Sequence, residues 1–125
     1  MRYLLDTTVI VQYALGMPAA TDLVWRLFEE TGQIHTCDVV TCEALTGGTA
    51  EERAAIASLL DALEYIALAP WDARVAADLR RTAGRSSGRT LGDALIAALA
   101  LANDATVVTR NRPDFARMGV PVLEY

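Results

Sequence analysis

Residues Leu91 to Thr109 read "LGDALIAALALANDATVVT". The first part is helix-forming and apolar almost all the way round, which is the pattern of a buried helix rather than a surface one. Asn103 and Asp104 break it, and "ATVVT" follows as a short β-branched strand. A fully buried helix feeding a fully buried strand is the unit of a parallel sheet covered on both faces. The rest of the chain repeats that alternation. "RYLL" opens a strand, and "TVIVQYAL" leads away from it towards a helix over "ATDLVWRLFEET", where Leu23, Val24, Leu27 and Phe28 share a face.

"QIHTCDV" predicts a second strand and "TCEALTGG" a short helix ended by Gly47 and Gly48. "TAEE" from Thr49 is a capping box, followed by Ile56, Leu59, Leu60 and Leu63 at helical spacing. "YIALA" predicts a third strand. Pro70 breaks the chain, Asp72 can cap, and "ARVAADLRRTA" is helical. "RNRPDF" reads as a loop and short turn, and "VPVLEY" as a fifth, edge strand that tolerates Pro121. The expected order is β-α-β-α-α-β-α-α-β-β. The fold class is α/β, a three-layer α/β/α sandwich with a mostly parallel sheet of about five strands. Residues 1–125 are expected to form a single domain, with no repeat or linker.

Composition narrows the chemistry. Of 125 residues, 53% are hydrophobic, enough for a core. The net charge is −5, so overall charge draws in neither nucleic acid nor an acidic membrane. All eleven basic residues are arginine. Without lysine, P-loop nucleotide binding, Schiff-base chemistry and Ser-Lys dyads are excluded. With His35 as the sole histidine, His-rich metal sites are excluded too. Cys37 and Cys42 lie five apart and predict two buried or half-buried thiols, not a disulfide framework. The apolar runs are too short to span a membrane, and no basic leader precedes one at the start. The expected location is the cytoplasm, with no membrane partner.

Ligands of an open parallel sheet bind beyond the carboxyl ends of its strands. The acids that follow strands or open the next helix are Asp6, Glu43, Asp93 and Asp114, with Asn111 three residues before the last. Each has a structural reading of its own. Asp6 suits an Asx-turn or an N-cap. Glu43 suits a solvated helix face. Asp93 stands in the first turn of its helix, where Thr90-x-x-Asp93 is itself a capping-box pattern. Asp114 suits a turn after Pro113. Together they say more. Carboxylates that converge without lysine or histidine repel one another unless a cation neutralises them. Mg²⁺ or Mn²⁺ takes such oxygen ligands and can activate a water against a phosphodiester.

Three segments carry a family resemblance. "YLLDTTVIVQYA" resembles the opening of PIN domains, "TCEAL" their second motif, and "LGDALIAALALANDATVVTRNRPDF" their third and fourth. Within that family, a chain of this size is similar to VapC-type toxins of type II toxin–antitoxin systems. The resemblance implies a Mg²⁺- or Mn²⁺-dependent endoribonuclease, a cognate antitoxin protein, and a homodimer or larger toxin–antitoxin assembly. By position it makes Asp6, Glu43 and Asp93 the acidic metal site. Asn111 stands where some members carry an acid, and Asp114 is the nearest alternative. Thr7 and Thr109 become hydroxyl supports, and Thr8 departs from the usual Asn or Ser.

RNA must meet a local basic feature of this acidic chain. Arg85 and Arg89 in "GRSSGRT" and Arg110 and Arg112 in "TRNRPDF" are the candidates, and a solvated surface role is the plain alternative. Trp25 and Phe28 are expected in the core or an interface, beside a groove where the resemblance places the antitoxin. Two other readings stand beside the nuclease. One is a catalytically silent PIN-like module that binds RNA or protein. The other is a phosphatase with Asp6 as nucleophile, disfavoured by Thr8 and by the lack of lysine.

Overall fold

The computed structural model describes residues 1–30, 32–83 and 89–125, the side chains of 89 and 90 excepted. Five strands form one sheet: β1 (Arg2–Leu5), β2 (Ile34–Cys37), β3 (Glu64–Ile66), β4 (Ala105–Thr109) and β5 (Val122–Glu124). Their order is β3-β2-β1-β4-β5, and every neighbouring pair is parallel. The sheet is therefore wholly parallel, with β5 at one edge as the sequence predicts. β3 is shorter than "YIALA" suggested, because the chain leaves the sheet after Ile66.

Among the described residues seven helices cover the sheet: α1 (Thr7–Ala14), α2 (Pro18–Glu30), α3 (Asp38–Thr46), α4 (Ala50–Ala62), α5 (Pro70–Ala83), α6 (Arg89–Ala102) and α7 (Arg112–Arg117). The chain steps from β1 to β2 to β3, then crosses back to β4 on the other side of β1. Right-handed crossovers put the helices of those two journeys on opposite faces. α1 accordingly packs with α2, α3 and α4, while α5 packs on α6, which covers β4.

Two helices depart from the expected order. The single helix expected between β1 and β2 is two, because Gly16 takes a positive φ of 73° and Pro18 starts α2. The expected loop "RNRPDF" begins α7. Pro113 lies in its first turn, where a missing N–H costs nothing. Other local expectations hold. Thr49 caps α4 by accepting from the Glu52 N–H at 3.1 Å. Asp72 accepts from the Ala69 N–H at 2.8 Å at the start of α5.

Leu4, Leu5, Val107 and Val108 are fully buried at the sheet centre. α6 lies close against them because its buried face is mostly alanine, at positions 94, 97, 98 and 100, with Ile96 and Leu99 filling the gaps. Each such Leu or Ile contributes about 1.5–3 kcal/mol through burial. Cys37 is buried as expected, but Cys42 is exposed, since it sits on the outer face of α3. Trp25 is also exposed, 58%, with Phe28 half-buried beside it. Among the described residues no helix is long and apolar enough to cross a membrane.

Candidate functional site

The strand order changes direction between β1 and β4, and the site forms there, beyond their carboxyl ends. Leu5 pairs with Val108, and the Asp6 N–H donates to the Val108 carbonyl at 3.0 Å. That register sets Asp6 beside Thr109. The Thr109 hydroxyl donates to Asp6 Oδ2 at 2.7 Å, in a fully buried contact. Asp6 is also the N-cap of α1, accepting from the Thr7 N–H through Oδ1 at 2.7 Å. The cap reading of Asp6 is thus correct, and it leaves the carboxylate facing the other acids. Burial raises the Asp6 pKa, the Thr109 and Thr7 bonds oppose that rise, and the Glu43 charge adds to it.

Thr7 links the next acid. Its hydroxyl donates to Glu43 Oε1 at 2.6 Å, tying α1 to α3. The other Glu43 oxygen rests against α6 at Gly92. A methyl group built at Gly92 would meet Glu43 Oε2 at 2.7 Å. A glycine inside a helix costs about 1 kcal/mol relative to alanine. Here it opens room for a carboxylate, a reason no local pattern in the sequence displays.

Asp93 follows on α6. The helix already includes Thr90, so Asp93 lies beyond the first turn and the predicted capping box does not hold. Asp93 is half-buried. Its pKa is pushed up to about 7, first by burial, then by the charges of Asp6, Asp114 and Glu43. Asn111 opposes the rise by donating through Nδ2 to Asp93 Oδ2 at 3.3 Å. The same amide donates to Asp114 Oδ2 at 2.8 Å, and the Asn111 N–H donates to the Thr109 hydroxyl oxygen at 2.9 Å. Asn111 and Asp114 both lie at this edge, joined by that hydrogen bond. Asp114 is held below the usual carboxylate range by Asn111, with Arg117 of the same helix adding to the effect. Arg117 escaped the sequence reading because its i, i+3 pairing exists only once α7 is helical.

Four carboxylates thus face one another, and Asp93 feels the other three. Arg117, on Asp114, is the cation paired within this group. Among the described residues no group of three Asp, Glu, His or Cys side chains is placed to hold a metal ion. A hydrated hard cation needs only one or two carboxylates and keeps its remaining waters. Asp6, Glu43, Asp93 and Asp114 are the donors able to hold one, with Asn111 as a neutral companion.

The arginines divide. Arg85 lies outside the described residues, and of Arg89 only the backbone, in α6, is described. Arg110 is exposed, with its guanidinium carbon 4.7 Å from the centroid of the Tyr125 ring. Arg112 stands 4.0 Å from Glu124, both exposed, a pair of little energetic consequence. Two grooves open between helices. One of about 400 Å³ lies between α3 and α6 and includes Val39, Cys42, Glu43, Leu91 and Leu95. Another of about 540 Å³ lies between α1, α2 and α4 and is floored by Tyr13, Trp25, Phe28 and Leu59.

The PIN domain profile matches residues 3–121. Ribonuclease VapC19 of Mycobacterium tuberculosis is 34% identical over 110 residues, spanning 86% of this chain and 87% of that protein. Ribonuclease VapC11 of the same organism is 32% identical over 114 residues, 86% and 85% of the two chains. Among solved structures, a chain of the VapBC2 complex of Rickettsia felis, bound to a promoter DNA fragment, superposes with a TM-score of 0.80. It is 22% identical and covers 100% of this chain and 99% of that one. A chain of DNA-bound VapBC from Salmonella typhimurium gives 0.79 at 20% identity, covering 99% and 98%. The fold is that of these proteins. The chain belongs to the PIN-domain family, in the company of the VapC proteins.

Proposed function

We propose that this chain is the endoribonuclease toxin of a toxin–antitoxin pair, acting in the cytoplasm as one PIN domain across residues 1–125. The observation that carries the reading is the convergence of Asp6, Glu43, Asp93 and Asp114 at the carboxyl edge of the sheet, in a chain whose relatives at 32–34% identity are named ribonucleases. The donor set is all oxygen, which suits Mg²⁺ or Mn²⁺ over softer metals. When bound, such an ion supplies charge stabilisation at the phosphate and an activated water.

The chain's own residues do the rest. Thr109 and the Thr7 N–H fix both Asp6 oxygens, so this carboxylate is oriented before any ligand arrives. Thr7 orients Glu43, and Asn111 spaces Asp93 from Asp114. Fixed outer contacts of this kind hold ligands in geometry and typically change metal affinity or activity 10- to 100-fold. Arg110 and Arg112 border the site and offer the local positive charge that RNA requires near this negative edge. Single-stranded RNA segments suit so open a cleft.

The cognate antitoxin is placed in the groove of Tyr13, Trp25, Phe28 and Leu59, where exposed apolar surface awaits a partner. A homodimer completes the assembly. The test is cleavage of RNA by the purified chain with Mn²⁺, with Mg²⁺ and with chelator. Metal-dependent cutting is expected. RNA left intact with both ions, while RNA or an antitoxin still binds, would identify a silent binding module instead.

A further inference from the structure

β4 delivers three consecutive residues to the site edge. Thr109 and Asn111 are tied to the acidic cluster, and Arg110 between them turns to a different partner. Thr109 pairs with Glu124 across β4 and β5, so Arg110 falls beside Tyr125. Its guanidinium lies over the Tyr125 ring, 4.7 Å from the centroid. The ring is braced from below, where the Tyr125 hydroxyl donates to Gln12 Oε1 of α1 at 2.6 Å. Burial raises the Tyr125 pKa, the Arg110 charge and a hydrogen bond from the Arg110 side chain lower it, and the Asp6 charge raises it. The hydroxyl thus senses both Arg110 and the deepest acid of the cluster.

Arg112 and Arg117 each face a carboxylate. Arg110 is exposed and forms no ion pair among the described residues. The ring and hydroxyl of Tyr125 together restrain the guanidinium, and its remaining N–H groups stay free to donate. An arginine so restrained loses less freedom on gripping a phosphate than a mobile one does.

We propose that Tyr125, braced by Gln12, is a positioning residue that presents Arg110 to a phosphate of the bound RNA strand beside the acidic cluster. This rests on the ribonuclease reading. Arg110 supplies the contact and Tyr125 acts through it.

The test is fluorescence anisotropy of a labelled single-stranded RNA oligonucleotide in chelator, across a series of KCl concentrations. Arg110→Ala should lower the slope of log affinity against log salt by about 0.7, the loss of one phosphate contact on a single strand. Tyr125→Leu should weaken binding about two- to fivefold. It should add nothing in the Arg110→Ala background, because its effect runs through that side chain. Tyr125→Phe keeps the ring face and should retain most of the affinity, which separates positioning from general packing. Melting curves confirm that each variant folds.

Equal slopes for wild type and Arg110→Ala, or an undiminished Tyr125→Leu effect without Arg110, overturn the proposal. So does a wild-type chain that binds no RNA. Cleavage with Mn²⁺, followed in parallel, keeps the two ideas apart. A wild type that binds as described but does not cut loses the nuclease and keeps the anchor. A wild type that cuts with unaltered slopes keeps the nuclease and loses the anchor.

Discussion

The acidic site has an inner half and an outer half, built by different physics. Asp6 and Thr109 form the inner half, where strand register and burial fix both side chains. Glu43, Asp93, Asn111 and Asp114 form the outer half, carried on three helices and partly open to solvent. The inner contact would survive in an empty scaffold, because Asp6 also caps α1 and Thr109 also accepts from Asn111. The outer half gains little by itself. Its carboxylates repel, Glu43 needs a glycine opposite, and Asp114 leans on Arg117. Such repulsion supports the proposal that a cation from outside completes the site.

Asp6→Asn removes one charge from the inner half and keeps its shape. RNA cleavage should fall at least about 100-fold, and the melting temperature should change little. A variant that melts lower yet keeps full specific activity would reassign Asp6 to capping alone.

Thr109→Val attacks the same half through its buried hydroxyl. The Asp6 carboxylate and the Asn111 N–H both lose a partner. Denaturant unfolding should show a loss of about 1–3 kcal/mol. A stability equal to wild type would mean the inner half is not the rigid one.

Gly92→Ala should split activity from stability. The new methyl group enters the space of Glu43 Oε2, so the carboxylate must shift and cleavage should drop about tenfold. Helix propensity works the other way, and α6 should gain up to about 1 kcal/mol. Unchanged cleavage would show that Glu43 tolerates displacement.

The pH dependence concerns Asp93. Its folded pKa of about 7 lies above its ordinary 3.8, so folding favours the protonated form. The associated stabilisation is complete below about pH 4 and is lost as pH rises through 7. Asp6, also raised, acts in the same direction. His35, held below its usual value by burial, acts in the opposite direction in this range, so the comparison is with Asp93→Asn. Metal-free wild type should lose more melting temperature, or gain less, between pH 5.5 and pH 8 than Asp93→Asn does, and added Mn²⁺ should restore more stability at the higher pH. The same pH response in both proteins in chelator would contradict this. The smallest effect belongs to Arg117→Ala. It removes an exposed partner of Asp114 and should cost under about 1 kcal/mol in unfolding experiments.

The same division marks what the sequence could reveal. β4 and β5 were legible through their valines next to helical patterns, and β1 through a short apolar run ending at Asp6. The inner site followed, since Asp6 directly ends a strand. α7 was hidden by Pro113, which reads as a breaker although the first turn of a helix accepts it. Asp93 was misplaced within α6, because Thr90 resembles a cap and helix starts lack a sharp signature. Gly92 against Glu43, and Tyr125 beneath Arg110, are contacts between distant segments. No periodicity or spacing encodes them, so they emerge only when the sheet brings its edges together.

The central claim is that these carboxylates hold a divalent cation. Calorimetric titration of Mn²⁺ into wild type and Asp93→Asn at pH 7.5 tests it most directly. Binding to wild type, weakened at least about tenfold by Asp93→Asn, is the expected result. No binding by wild type, or equal affinity in both proteins, would contradict it.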